Sequence, residues 1–206
     1  MIAIADYGIG NLGSVTKAFR RAGAEVRLSG DVEVLRWADA LVLPGDGAFG
    51  ATMAEVEARG LVGVLREAAE KGKPLLGICV GMQLLFEESE EHGRHGGLGL
   101  LPGRVVRLEG DLPVPHMGWN RLRARRAHPI LDGVPDGAHV YFVHSYTCDA
   151  PDDVVIASCD YGRELAAIVG KGSVVGVQFH PEKSQEVGLR MVEAFVRIVD
   201  AARRAA

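Results

Sequence analysis

Apolar positions in the first half of the chain fall into short continuous runs separated by stretches of helical period. Residues 1–5, 25–28, 40–43 and 75–78 read as strands, the third ending at Pro44-Gly45. Residues 12–22 read as a helix closed by Gly23, and residues 52–71 as a helix broken around Gly60. A further helix is expected from Val80, where Met82-Gln83-Leu84-Leu85-Phe86 keeps helical spacing. Strands alternating with helices predict a doubly wound α/β fold, a largely parallel sheet with helices on both faces. Ligands gather at the carboxyl ends of the strands in such sheets, so the loops after Ala5, Leu43 and Ile78 should share one rim.

The pattern changes after Gly103. Short runs at 140–143, 154–157, 165–169 and 174–177 are separated by turn signals such as Pro113, Pro115, Asp132-Gly133 and Pro135-Asp136-Gly137. They predict an antiparallel extension of the same sheet, followed by an amphipathic helix over 185–203. No repeat, low-complexity tract or linker interrupts the chain, and residues 1–206 are expected to form a single domain.

Composition narrows the function classes. With 206 residues, 48% hydrophobic and a net charge of −4, the chain has the make-up of an ordinary soluble protein with a sizeable core. No apolar run approaches the length of a bilayer span, and the opening residues lack the basic lead-in of a signal peptide. Cys79, Cys148 and Cys159 are too widely and unevenly spaced for a disulfide framework or a zinc site, so a reducing cytoplasm and no metal are expected. The arginine-rich run 121–126 alternates at period two without interleaved aromatics. It reads as a strand with a solvated arginine face or a partner-facing edge, not a nucleic-acid patch.

The chemistry concentrates in a few segments. Gly77-Ile78-Cys79-Val80-Gly81 sits between a strand and a helical run, the strand–turn–helix arrangement of a nucleophile elbow, with the following helix favouring thiolate at Cys79. On this segment alone, a buried and inert cysteine remains open. A nucleophilic thiol needs a base and the base an orienting partner. His180-Pro181-Glu182 follows the strand before it, and a residue preceding proline is biased to extended backbone, so His180 and Glu182 should project to one side. Among the other histidines, His92 and His95 read as solvent-exposed and His128 as a turn residue, while His116, His139 and His144 are harder to set aside. Oxyanion donors are expected from the Val80 N–H and from Pro44-Gly45-Asp46-Gly47-Ala48-Phe49-Gly50, a segment that by itself also reads as an ordinary strand-to-helix turn.

The elbow cysteine, the Pro-Gly-x-Gly loop one strand earlier and the late His-Pro-Glu together resemble the class I, triad-type glutamine amidotransferases, whose fold is flavodoxin-like. Asp6-Tyr7-Gly8-Ile9-Gly10-Asn11-Leu12-Gly13-Ser14-Val15, Pro115-His116-Met117-Gly118-Trp119-Asn120, Tyr141-Phe142-Val143-His144-Ser145-Tyr146 and Gly176-Val177-Gln178-Phe179-His180-Pro181-Glu182-Lys183-Ser184 look like the glutaminase subunits of histidine biosynthesis. The resemblance spans nearly the whole chain. It implies that Cys79 attacks the amide of L-glutamine, that His180 moves protons and that Glu182 orients His180, with no cofactor. It implies backbone oxyanion donors at Val80, Asp46 and Gly47, and a glutamine cradle at Gly45, Gly47, Gln83, Ser145 and Tyr146. It further implies a cyclase partner with a (β/α)8 barrel that consumes the ammonia, docked near Asn11, Met117, Trp119, Asn120 and Lys183. Asp46 departs from the apolar residue, commonly valine, that the family places there, which puts unaided turnover in question. Alternatives are the glutaminase subunit of another biosynthetic amidotransferase, or a small α/β hydrolase with a cysteine nucleophile. The latter would place its acid well before the histidine, whereas Glu182 follows it.

Overall fold

The computed structural model describes residues 1–205. In chain order it contains β1 (Ile2–Ala5), α1 (Leu12–Arg21), β2 (Val26–Ser29), α2 (Val32–Trp37), β3 (Ala40–Gly45), α3 (Phe49–Ala58), α4 (Leu61–Glu70), β4 (Leu75–Cys79) and α5 (Val80–Gln83). The second half adds β5 (Glu88–Ser89), β6 (His95–Gly96), β7 (Arg104–Arg107), β8 (His116–Arg121), β9 (Arg123–Ala124), β10 (His139–His144), β11 (Tyr146–Asp149), β12 (Val155–Asp160), β13 (Glu164–Lys171), β14 (Val174–Val177) and α6 (Gln185–Ala205).

The main sheet has the order β2-β1-β3-β4-β14-β13-β12-β9. Its first five strands run parallel, and β13, β12 and β9 attach antiparallel. Every residue of β1, β3, β4 and β14 is buried, as expected of strands covered on both faces. The helices form two packed groups. In one, α1 lies on α6, with Phe19 edge-on to Phe195 at a centroid distance of 6.1 Å; in the other, α2 and α3 pack on α4. Register places Gly45 opposite Cys79 and Val177 opposite Ile78. The carboxyl ends of β3, β4 and β14 therefore meet on one rim.

Where the structure departs from the sequence reading, the causes are local. The helix expected from Val80 is one turn long. Beyond it the carbonyls of Leu84, Leu85 and Phe86 accept hydrogen bonds from the amides of Leu98, Leu100 and Gly99, at 2.8, 2.8 and 3.0 Å, so the following loop captures groups that a longer helix would have used. The run 140–143, inside β10, does not extend the main sheet but pairs with β8 in a two-stranded ribbon. A second small sheet, β11-β7-β5-β6, carries the remaining short strands. α2 was not foreseen, because six residues are too few to display a helical period; Asp31 caps it by accepting from the Glu33 amide at 2.8 Å. The break around Gly60 is as expected, between α3 and α4. The arginine run lies at the sheet's open edge, with Leu122 buried and Arg121, Arg123 and Arg125 exposed, the last paired with Glu164 at 2.7 Å.

Candidate active site

Cys79 closes β4 with φ 54° and ψ −114°, a conformation that side chains rarely adopt. Such a residue persists only where its surroundings over-determine it. Here β4 is hydrogen-bonded to β3 on one side and β14 on the other. The turn after the cysteine is pressed onto β3 so closely that a Cβ on Gly81 would overlap the Leu43 carbonyl oxygen. That is why glycine follows Cys79 at this distance. The single turn of α5 offers much less dipole than the helix expected from the sequence, so charge at the sulfur depends on its neighbours.

Those neighbours are His180 and Gln178, from the segment that continues β14. His180 has the extended backbone expected before proline, with φ −101° and ψ 100°. Glu182, however, stands in a 3-10 turn over Pro181–Lys183, so the two side chains meet across a turn and not along a strand. The contact is made all the same, with Nδ1 of His180 at 2.8 Å from Oε1 of Glu182 and both side chains buried. Ser184 locks the turn: its hydroxyl donates to the His180 carbonyl at 2.7 Å and accepts from the Tyr141 amide at 3.0 Å. Burial of the ring works against its charged form, but hydrogen bonds to Cys79 and Glu182 outweigh it and raise the His180 pKa to about 10. The ring is thus held by the carboxylate at Nδ1 and biased toward its charged form.

Gln178, fully buried, donates from Nε2 to the Cys79 sulfur at 3.9 Å. Its Oε1 accepts from Nε2 of Gln83 at 3.1 Å, and the same Gln83 nitrogen donates to the Tyr146 carbonyl at 3.1 Å. The sequence places Gln178 inside a motif without giving it a role. A signal was present, since Gln178 stands two residues before His180 in extended backbone.

The sulfur opens into a cleft of about 240 Å³ lined by Asp46, Gly47, Cys79, Val80, Gln83, Ser145 and Tyr146, together with Glu91, Pro115, Val143 and His144. Of the expected cradle only Gly45 is missing from the lining; it lies behind the site, against Gly81. A larger groove of about 790 Å³ between α1 and α6 touches Glu182 but contains neither the thiol nor the imidazole. Asp46 is exposed and its Oδ1 accepts from the Gly47 amide at 2.9 Å, where Gly47 has φ 79°. The loop is anchored at its two ends by groups the sequence did not single out. The buried Tyr7 hydroxyl donates to the Pro44 carbonyl, and Glu91 accepts from the Phe49 amide at 2.6 Å.

The remaining candidates divide by exposure. His92 and His139 are exposed and His95 is half-buried against Gly50, whereas His116 and His144 are buried. Met117 and Trp119 are 61% and 47% exposed on β8, so Trp119 is not a core residue. Asn11 and Lys183 are exposed, and Asn11 also caps α1 by accepting from the Ser14 amide at 3.3 Å. α1 and β10 both pack on the His-Pro-Glu turn, which brings these positions around one side of the site. Among the described residues, no helix is long and apolar enough to cross a membrane.

Comparison with known proteins places this arrangement in a family. The glutamine amidotransferase class-I profile matches residues 3–199. The imidazole glycerol phosphate synthase subunit HisH of Geobacillus kaustophilus is 54% identical over 205 residues, covering 96% of this chain and 97% of that protein. The protein of the same name from Bacillus cereus strain G9842 is 50% identical over 201 residues, covering 98% and 96%. Among solved structures, a glutamine amidotransferase aligns with a TM-score of 0.77 at 22% identity, covering 97% of this chain and 98% of that one. PurLQS from Thermotoga maritima aligns with a TM-score of 0.74 at 21% identity, covering 97% of each chain. Identities that low speak for the fold alone, whereas the full-length similarity to HisH speaks for the branch. The chain belongs to the class I glutamine amidotransferases, and within them to the HisH subunits of imidazole glycerol phosphate synthase, the glutaminase of histidine biosynthesis.

Proposed function

We propose that the chain acts as one glutamine amidotransferase domain whose Cys79 hydrolyses L-glutamine and whose ammonia passes to a cyclase partner with a (β/α)8 barrel. Cys79 attacks the side-chain amide carbon as thiolate. The developing oxyanion is received by backbone N–H groups of Val80 and of the Asp46-Gly47 loop, donors of a kind worth about 10² to 10³ in rate each. The His180 imidazolium gives its proton to the departing nitrogen, and ammonia leaves a γ-glutamyl thioester. Neutral His180 then takes a proton from water, which attacks the thioester and releases glutamate. Glu182 keeps the ring oriented throughout through its contact with Nδ1. Gln83, Gly47, Ser145 and Tyr146 hold the substrate.

The observation that carries this reading is the buried contact of His180 with Glu182 in the turn that follows β14, the strand paired in parallel with β4, which ends in Cys79. The partnership is supported by the names of the relatives, each a subunit of a synthase, and by the exposed Met117 and Trp119, residue types enriched at interfaces. Ammonia set free in neutral water would be protonated and lose its nucleophilicity, which gives a sealed transfer to a docked cyclase its physical purpose. All three cysteines are free, as suits a reducing cytoplasm. The test is glutamate release from the purified chain with and without the cyclase and its ribonucleotide ligand. Slow release alone and fast release in the complex are expected; full rate without a partner, or none with it, contradicts the proposal.

A further inference from the structure

His116 and His144 face each other in the register of β8 and β10, both buried, with Nδ1 of His116 at 2.9 Å from Nε2 of His144. Their protonation can be read from the groups around them. Asn120 Oδ1 accepts from the Arg121 amide at 2.7 Å, which fixes Nδ2 as the atom facing His116 Nε2 at 3.2 Å. That amide nitrogen can only donate, so His116 Nε2 carries no proton and Nδ1 does. At the far end, Nδ1 of His144 lies 2.8 Å from the Tyr146 carbonyl, which can only accept, so His144 carries its proton on Nδ1 and leaves Nε2 free. The two assignments start from opposite ends of the pair and agree. Protonating either second nitrogen would set N–H against N–H. The pair is neutral for a second reason as well: burial lowers the pKa of each ring to about 4.

Neither ring belongs to the proposed triad, yet the chain of contacts continues to it. The Tyr146 carbonyl that receives the His144 proton also receives Gln83 Nε2 at 3.1 Å. Gln83 donates to Gln178 Oε1 at 3.1 Å, and Gln178 Nε2 points to the Cys79 sulfur at 3.9 Å. At the other end, Asn120 follows the half-exposed Trp119 on β8 and donates to the Asp160 carbonyl at 2.8 Å.

We infer that Asn120, His116 and His144 are positioning residues, a relay of fixed tautomers that ties the exposed edge of β8 to the Tyr146 carbonyl and, through Gln83 and Gln178, to the sulfur of Cys79. The relay rests on the proposed glutaminase reading for its purpose. It gives docking on Met117 and Trp119 a route to the glutamine cradle: a shift of β8 moves Asn120, the imidazoles follow as a rigid pair, and the Tyr146 carbonyl turns toward or away from Gln83. Rigidity comes from stacking. The His116 ring lies between Phe142 and Tyr161 at centroid distances of 4.7 and 4.0 Å.

Two measurements test it, one of them independent of activity. In the full chain with ¹⁵N-labelled histidine, NMR is expected to find both rings neutral at neutral pH with the proton on Nδ1; a proton on Nε2 of either ring overturns the relay. In the complex with the cyclase, His116→Phe keeps the stack and deletes both hydrogen bonds. It is expected to lower glutamine-dependent kcat by roughly 10- to 100-fold, the scale of a small misplacement at a reacting centre, while ammonia-dependent synthesis and docking survive. His116→Asn restores a donor near the Nδ1 position and is expected to recover most of that loss. Asn120→Ala should cost activity in the parent and nothing further in the His116→Phe background. Equal damage from His116→Asn and His116→Phe, or additive damage from Asn120→Ala, overturns the relay. A parent complex that releases no glutamate sinks the glutaminase reading instead, and the tautomers still decide whether the relay exists.

Discussion

Gly45 and Gly81 meet without room for a methyl group between them: a Cβ on Gly45 would overlap the amide nitrogen of Gly81. This contact seats the elbow on β3 and with it fixes where the sulfur points. Gly45→Ala is therefore expected to destabilise the chain by about 1 to 3 kcal/mol, the usual cost of overpacking a tight core. It should also depress glutaminase activity beyond the loss of folded protein. Urea unfolding, with glutamate release normalised to folded chain, checks both; an unchanged unfolding midpoint would show that the elbow yields easily.

Asp46 holds the neighbouring amide with its own carboxylate, at 2.9 Å from the Gly47 nitrogen. The hydrogen bond removes a donor from the loop proposed to receive the oxyanion and sets a negative charge beside it. Asp46→Ala frees that amide and is expected to raise unaided glutamate release by roughly tenfold, part of what a single oxyanion donor is worth. The complex, already activated, should gain less. A fall in the unaided rate would mean that the carboxylate supports the loop's working geometry.

The raised pKa of His180 has a consequence for stability. Its pKa in the folded chain, about 10, lies above the ordinary 6.5. The contribution of its contacts is therefore fully present below pH 6.5 and is lost as the pH rises through 10, with a slope of at most about 1.4 kcal/mol per pH unit. Unfolding free energies across that window should fall in the parent chain and fall less steeply in Glu182→Gln. The same variant is expected to lose kcat by roughly 10² or more, because the imidazole loses its orienting carboxylate. Parallel curves for the two proteins would remove Glu182 from the pair.

Trp119 tests the docking surface. At 47% exposure it contributes little to the core, so Trp119→Ala should leave the unfolding midpoint nearly unchanged. If the tryptophan is a central anchor for the cyclase, affinity should fall by roughly 30-fold, the scale of a buried interfacial tryptophan. Titration calorimetry or fluorescence with the cyclase reads the loss; unchanged affinity would move the interface elsewhere.

β1, β3 and β4 were legible in the sequence because they are buried on both faces, and α1, α3 and α4 because they are long enough to show a period. β14 was read with the antiparallel extension, although it pairs in parallel with β4 and only its other edge continues antiparallel. Residues 12–22 and the break at Gly60 came out nearly as read. The antiparallel half was less legible. β5, β6, β9 and β11 are short, and the run 140–143 carries the same alternation whether it joins the main sheet or pairs with β8. The short α5 could not be foreseen, since its end is set by a loop more than ten residues further on. In the site, Cys79, His180 and Glu182 were visible through spacing and neighbouring glycine and proline. Tyr7 and Glu91 were not, and the roles of Gln178, His116 and His144 were not either, although their positions drew notice, because those roles depend on contacts between segments far apart in the chain.

Cleavage of glutamine through a thioester on Cys79, formed beside His180, is the step on which the proposed function turns. Turnover in the cyclase complex with isotope-labelled glutamine, quenched in acid and followed by peptide mass mapping, addresses it most directly. A γ-glutamyl group on the peptide bearing Cys79, absent in Cys79→Ala, is the predicted result. Glutamate release that proceeds with the label on another residue, or with undiminished rate in Cys79→Ala, would contradict it.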